Sequence, residues 1–90
     1  MLELKQTSQF KKDLRRMAKR SVNMDLLDEV VQLLREREPL PDKYEDHPLT
    51  GNWAGYRDCH IQPDWLLLYR VEENVLILSL TRTGSHSDLF

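Results

Sequence analysis

The chain contains a single cysteine, Cys59, which excludes an intramolecular disulfide framework. No apolar run approaches the ~20 residues that a membrane-spanning helix requires. The N-terminal stretch MLELKQTSQF lacks the charged-then-apolar leader of a secreted protein. There is no internal repeat, no low-complexity tract, no glycine-rich phosphate cradle and no carboxylate cluster of the Mg²⁺-binding kind. The simplest expectation is a cytoplasmic protein with no membrane association and no cofactor. Its 90 residues suffice for one domain, 1–90, with one modest core.

Charge of either sign is not in excess overall, since the net is −2. Its distribution is uneven. Between residues 5 and 20, Lys5, Lys11, Lys12, Arg15, Arg16, Lys19 and Arg20 face only Asp13, a local +6 that leaves −8 for the rest. Such a cationic stretch on an acidic body suits approach to a polyanion, although charge alone favours a plain solvated helix face.

Periodicity sets the expected elements. LELKQ alternates apolar and polar residues and reads as a short strand at about 2–6. Thr7 or Ser8 can cap a helix whose stripe is Phe10, Leu14 and Met17. Asn23 can cap a second helix carrying Leu26, Leu27, Val30, Val31 and Leu34, stopped by Pro39 and Pro41. Residues 39 to 55 read as a long connection. YRDCHI (56–61), WLLLYRV (65–71) and VLILSLTR (75–82) read as three strands with short turns, an antiparallel meander. WLLLY is apolar on both faces, so it is expected at the centre of the sheet. The fold class is α+β: one strand, a helical hairpin packed on one face, then three strands.

All three histidines fall in the second half, beside most of the aromatics. His47 lies in the long connection, and His60 shares one strand face with Tyr56 and Asp58. Asp64 and Trp65 sit at the next turn, Arg82 ends the last strand, and His86 follows four residues later. A meander can bring these positions to one region. Histidines and a carboxylate can move protons, arginine can bind phosphate, and aromatics can stack on bases. That set suits metal-free RNA cleavage by an adjacent 2′-hydroxyl. A zinc site is the competing use of three histidines and an aspartate, but spacings of 13 and 26 residues lack the tight pairing of common zinc motifs. Cys59 reads as a small buried apolar residue rather than a nucleophile.

The stretches DHPLTGNWAGYRDCHIQPDWLLLYR and LTRTGSHSDLF resemble the YafQ branch of the RelE-type bacterial toxins, which are mRNA endonucleases of toxin–antitoxin pairs. The resemblance runs through almost the whole chain and implies a RelE-like β-α-α-β-β-β fold. It implies cleavage of mRNA in the ribosomal A site, inhibition by a cognate DinJ-type antitoxin, and DNA contact only through the antitoxin complex. Position by position, the functional residues of the motif fall on His47, His60, Asp64, Trp65, Arg82, His86 and Phe90. For these residues the expected roles are His86 as general acid and Asp64, alone or with His60, as the base. Arg82 is expected to stabilise the phosphorane, His47 to position the phosphate or share proton transfer, and Trp65 and Phe90 to stack on the codon. Lys11, Lys12, Arg15, Arg16 and Lys19 are expected to contact the ribosome or RNA. The rival reading is a non-catalytic, toxin-like module that only binds RNA or the ribosome.

Overall fold

The computed structural model describes residues 1–90. Strand β1 (Glu3–Gln6) is followed by helices α1 (Ser8–Lys19) and α2 (Met24–Arg35), then strands β2 (His47–Pro48), β3 (Arg57–Gln62), β4 (Trp65–Glu72) and β5 (Ile77–Gly84), and a final turn of helix, α3 (His86–Leu89). The sheet order is β1-β5-β4-β3-β2. The antiparallel meander β3-β4-β5 is present as expected. β1 joins it parallel to β5, which makes the sheet mixed rather than wholly antiparallel. β4 is the central strand, and its first five residues, Trp65 to Tyr69, are all buried. Sandwiching between two neighbours and two covered faces explains that unbroken apolar run.

The local signals act where they stand in the sequence. The Thr7 hydroxyl accepts the Phe10 N–H to cap α1, and the Asn23 side chain accepts the Asp25 N–H to cap α2. The expected stop at Pro39 and Pro41 is corrected: α2 already ends at Arg35. There the chain reverses through Arg37 at φ +59°, with Arg37 N–H bonded to Leu34 O and Glu38 N–H to Leu33 O. This is the usual glycine-type helix ending, made here by an arginine. Two elements, β2 and α3, lie in segments that have too few residues for any periodicity to show.

Both helices lie on one face of the sheet. Phe10 and Met17 of α1 and Leu27, Val30 and Leu34 of α2 share one core with Cys59, Ile61, Trp65, Leu67, Tyr69, Leu78 and Leu80. Each fully buried Leu or Phe in such a core contributes about 1.5–3 kcal/mol. Since strand side chains alternate, the opposite face of β3 and β4 must carry Asp58, His60, Leu66 and Leu68. The register extends that face into two rows across the strands. One runs His47–Asp58–Leu68–Arg82, the other His60–Leu66–Gly84. With strands about 4.8 Å apart, residues far apart in sequence become near neighbours there.

β1 stops at Gln6, opposite Leu80, so the last residues of β5 pair with β4 on one side and have no strand on the other. Side chains of α1 cover that edge instead. The Thr7 hydroxyl donates to Thr81 O, the Asp13 carboxylate accepts the Thr83 N–H, and Arg16 donates to Thr83 O. An open strand edge is thereby satisfied without another strand.

Candidate active site

Two short segments aim the histidines. In the first, residues 44–46, Tyr44 is buried in the core, while Asp46 accepts bonds from Arg57 and from the Tyr69 hydroxyl. Glu45 is trapped between these anchors in the left-handed region, at φ 50° and ψ 41°. A non-glycine residue pays roughly 1 kcal/mol or more for that conformation. Its carbonyl accepts a bond from His47 Nδ1 at 2.7 Å, and its carboxylate lies 3.1 Å from His60 Nδ1. A backbone carbonyl cannot donate, so His47 carries its proton on Nδ1 and turns Nε2 away from Glu45. That Nε2 lies 3.7 Å from the Asp58 carboxylate.

The second segment joins β3 to β4. An extra residue at Ile61 shifts the register, and Pro63–Asp64 make the two-residue turn. Bulges of this kind re-aim the side chains around them. Asp64 accepts both the main-chain N–H of His86 at 2.9 Å and its ring Nδ1 at 2.6 Å. These two bonds, the main-chain one foremost, hold the Asp64 carboxyl below the ordinary range. His86 is the first residue of α3, where helical N–H groups otherwise lack partners.

The three imidazoles converge. Ring centres are 6.4 Å apart for His47 and His60, and 5.5 Å for His60 and His86, each pair edge-to-face. Asp58 lies beneath them, 5% exposed, with one carboxylate oxygen lacking any hydrogen-bond partner. Burial pushes its carboxyl up, while the charges of His47, His60 and His86 pull the other way. A groove of about 480 Å³, lined by residues that include Leu26, Tyr44, Ile61 and Pro63, opens beside His60.

Other expected site residues are placed differently. Trp65 is 1% exposed and donates its indole N–H to the Thr83 hydroxyl, so it is a core residue with no ring face open to a base. That corrects its expected stacking role. Phe90 keeps an exposed ring and donates its N–H to His86 O. Arg82 donates two bonds to Asp13, which is fully buried. Lys11, Lys12, Arg15 and Lys19 are exposed on α1. Arg16, grouped with them by the sequence, is instead bonded to Asp13 and Thr83 O and lies 3.7 Å from Asp88.

Two residues of the site go beyond those expected from the sequence. Asp58 had a signal, its shared strand face with His60. Glu45 had none, because it lies in an aperiodic connection.

The fold and this site place the chain among the toxins of bacterial type II toxin–antitoxin systems: a family profile described as "Bacterial toxin of type II toxin-antitoxin system, YafQ" matches residues 2–90. Within that class the chain belongs to the YafQ family. It is 40% identical over 89 residues to the mRNA interferase toxin YafQ of Escherichia coli K12, covering 98% of this chain and 95% of that protein. The crystal structure of a metal-bound toxin from Helicobacter pylori superposes with a TM-score of 0.95 at 42% identity, over 100% of both chains. A crystal structure of the E. coli DinJ–YafQ complex superposes with a TM-score of 0.90 at 40% identity, over 100% of this chain and 99% of that one. In this arrangement no three His, Cys, Asp or Glu side chains are placed to hold one ion between them.

Proposed function

We propose that the protein is a ribosome-dependent endoribonuclease that cleaves mRNA in the A site and so inhibits translation, held in check by a DinJ-type antitoxin. The observation that carries this reading is the meeting of His47, His60 and His86 around buried Asp58. His60, with His47 beside it, takes the proton of the 2′-hydroxyl. The 2′-oxygen attacks phosphorus, the bond to the 5′-oxygen breaks, and His86 protonates the departing oxygen. The products are a 2′,3′-cyclic phosphate and a 5′-hydroxyl. General acid and base must each reach their proton within about 3 Å, and two rings 5.5 Å apart can flank one phosphodiester.

Asp64 is assigned a different role from the base expected of it. Both of its bonds go to His86, so it orients that ring and stabilises the imidazolium, as carboxylates beside catalytic histidines do. Asp58 supplies a fixed negative charge to the cluster. Arg82 stabilises the phosphorane through the N–H groups left after its bonds to Asp13, since a guanidinium has five donors. Phe90 stacks on the codon, and the groove beside His60 takes a flanking nucleotide. Lys11, Lys12, Arg15 and Lys19 meet ribosomal phosphates. Side chains supply the proton transfers and charge stabilisation, so the scheme has no metal-dependent step.

The test is cleavage of a defined mRNA on programmed ribosomes. The expected outcome is cutting in the A site, products ending in cyclic phosphate, and no cutting when the scissile nucleotide is 2′-deoxy. Folded His60→Ala and His86→Ala variants should each be slower by ~10²–10⁴. Ribosome binding with intact RNA would establish the non-catalytic reading instead, and 3′-hydroxyl ends would point to attack by water.

A further inference from the structure

We propose that Asp88, gripped by Arg20, is a positioning residue that holds His86 against Asp64. The inference rests on the reading of His86 as the general acid.

A helix of four residues has too few internal bonds to stand alone. α3 is nevertheless well tied, and the ties converge on Asp88. Its carboxylate accepts the Ser85 N–H at 2.9 Å while its own N–H bonds the Ser85 hydroxyl at 3.2 Å, closing a reciprocal cap around the first turn. The same carboxylate receives Arg20 from α1 through two bonds, 2.6 Å from Nη1 and 3.0 Å from Nη2. Paired parallel bonds of this kind fix orientation as well as distance. Arg16 adds its charge from 3.7 Å. Gly84 lets the parts close together, since a Cβ there would sit 2.9 Å from both Arg16 Nη2 and Asp88 Oδ2.

His86 lies between the two grips. On one side Asp64 binds its main chain and ring; on the other, Asp88 and Arg20 pin the turn from which it projects. Asp64 is exposed and stands on a two-residue turn, so it cannot by itself fix where α3 sits. The basic helix therefore has two working sides. Lys11, Lys12, Arg15 and Lys19 face solvent, whereas Arg16 and Arg20 reach across to the end of β5 and set the turn of α3.

Asp88→Asn, Arg20→Gln and the double variant test this by single-turnover cleavage and by ring-nitrogen NMR of the histidines. The Asn amide oxygen can still accept the Ser85 N–H, so the cap survives while the ion pair is lost. Expected are a fall in kcat of roughly ten- to a hundredfold, the range for misplacing a reacting group by about 1 Å, and a KM within about twofold. The His86 Nδ1–H signal should be lost or broadened, and His47 ring signals unchanged. The double variant should be no worse than the worse single, because both remove one interaction. Lost RNA contact cannot mimic this in Asp88→Asn, which removes a negative charge and should tighten RNA binding. A folded Asp88→Asn or Arg20→Gln protein with parental His86 signals and kcat would overturn the proposal, as would additive losses in the double variant. If the parent protein cleaves no RNA, the functional reading fails separately, and the His86 signals still decide the clamp.

Discussion

Replacing Asp13 by asparagine tests how the cationic helix is joined to the sheet. Asp13 is wholly buried and accepts bonds from the Thr83 N–H, from Arg82 Nε and Nη2, from Arg16 and from Gln9. Burial alone would raise its carboxyl. The Arg82 bond, the Thr83 N–H and the Gln9 bond, with the Arg82 charge, outweigh burial and hold it below the ordinary range. Asparagine keeps the shape but turns an N–H₂ group toward donors. Leaving a buried N–H such as that of Thr83 poorly satisfied costs about 1–3 kcal/mol. The Arg82 pair adds about 1 kcal/mol, discounted because the arginine is partly exposed. The expected loss is therefore roughly 2–4 kcal/mol, a large share of the ~5–15 kcal/mol that a domain has. For a chain of this size that is a fall in Tm of roughly 10–30 °C. Urea unfolding at pH 7 measures it. The pH dependence supplies a second reading. A carboxyl lowered in the folded state stabilises above its unfolded pKa of about 3.9, and that contribution is lost as pH falls further through the folded value. The Asn variant should therefore lose less stability than the parent below about pH 4. A loss under about 1 kcal/mol at pH 7, or identical acid limbs, would show that the network of Asp13 does not carry the α1–β5 junction.

Neutralising Lys11, Lys12, Arg15 and Lys19 together should reduce the slope of log binding constant against log salt by about 3, from four phosphate contacts at roughly 0.7–0.9 each; ribosome binding across a salt series measures it, and an unchanged slope would move the contact surface elsewhere. Trp65→Phe should cost roughly 1–2 kcal/mol of stability through the lost Thr83 bond and a small cavity, while leaving KM within about twofold. Phe90→Ala should do the reverse, keeping stability within about 0.5 kcal/mol and weakening binding of the programmed complex by about tenfold or more, as loss of a base-stacking partner does. Calorimetry and binding on the same two proteins separate these outcomes.

The contrast between Trp65 and Phe90 shows where reading along the chain loses force. Both are aromatics in a motif, and although the apolar run WLLLY favours burial around Trp65, the motif gives the two rings the same role. The register decides it: Trp65 lies on the same face as Leu67 and Tyr69, beneath the helices, and its indole finds Thr83 on the next strand. Arg15 and Arg16 differ in the same way. The helical stripe marks both as outward, yet only Arg16 lies over the open end of β5. That end is open on one side because β1 joins β5 in parallel and stops at Gln6, opposite Leu80, a pairing between the first and last strands that no local pattern records.

Local chemistry determined the helices, their caps, the three meander strands and the central place of WLLLY, because propensity, capping and apolar period act over a few residues. The histidines' candidacy was also legible, since a meander returns strand ends to the same region. Tertiary structure alone decided the pairing of Asp64 with His86, the place of Asp58 and Glu45 among the rings, and the use of Arg16 and Arg20 as struts. Asp64 and His86 are 22 positions apart, Arg16 and Thr83 67, and Arg20 and Asp88 68, and side-chain bonds between such positions depend on register and packing, which only the folded chain defines.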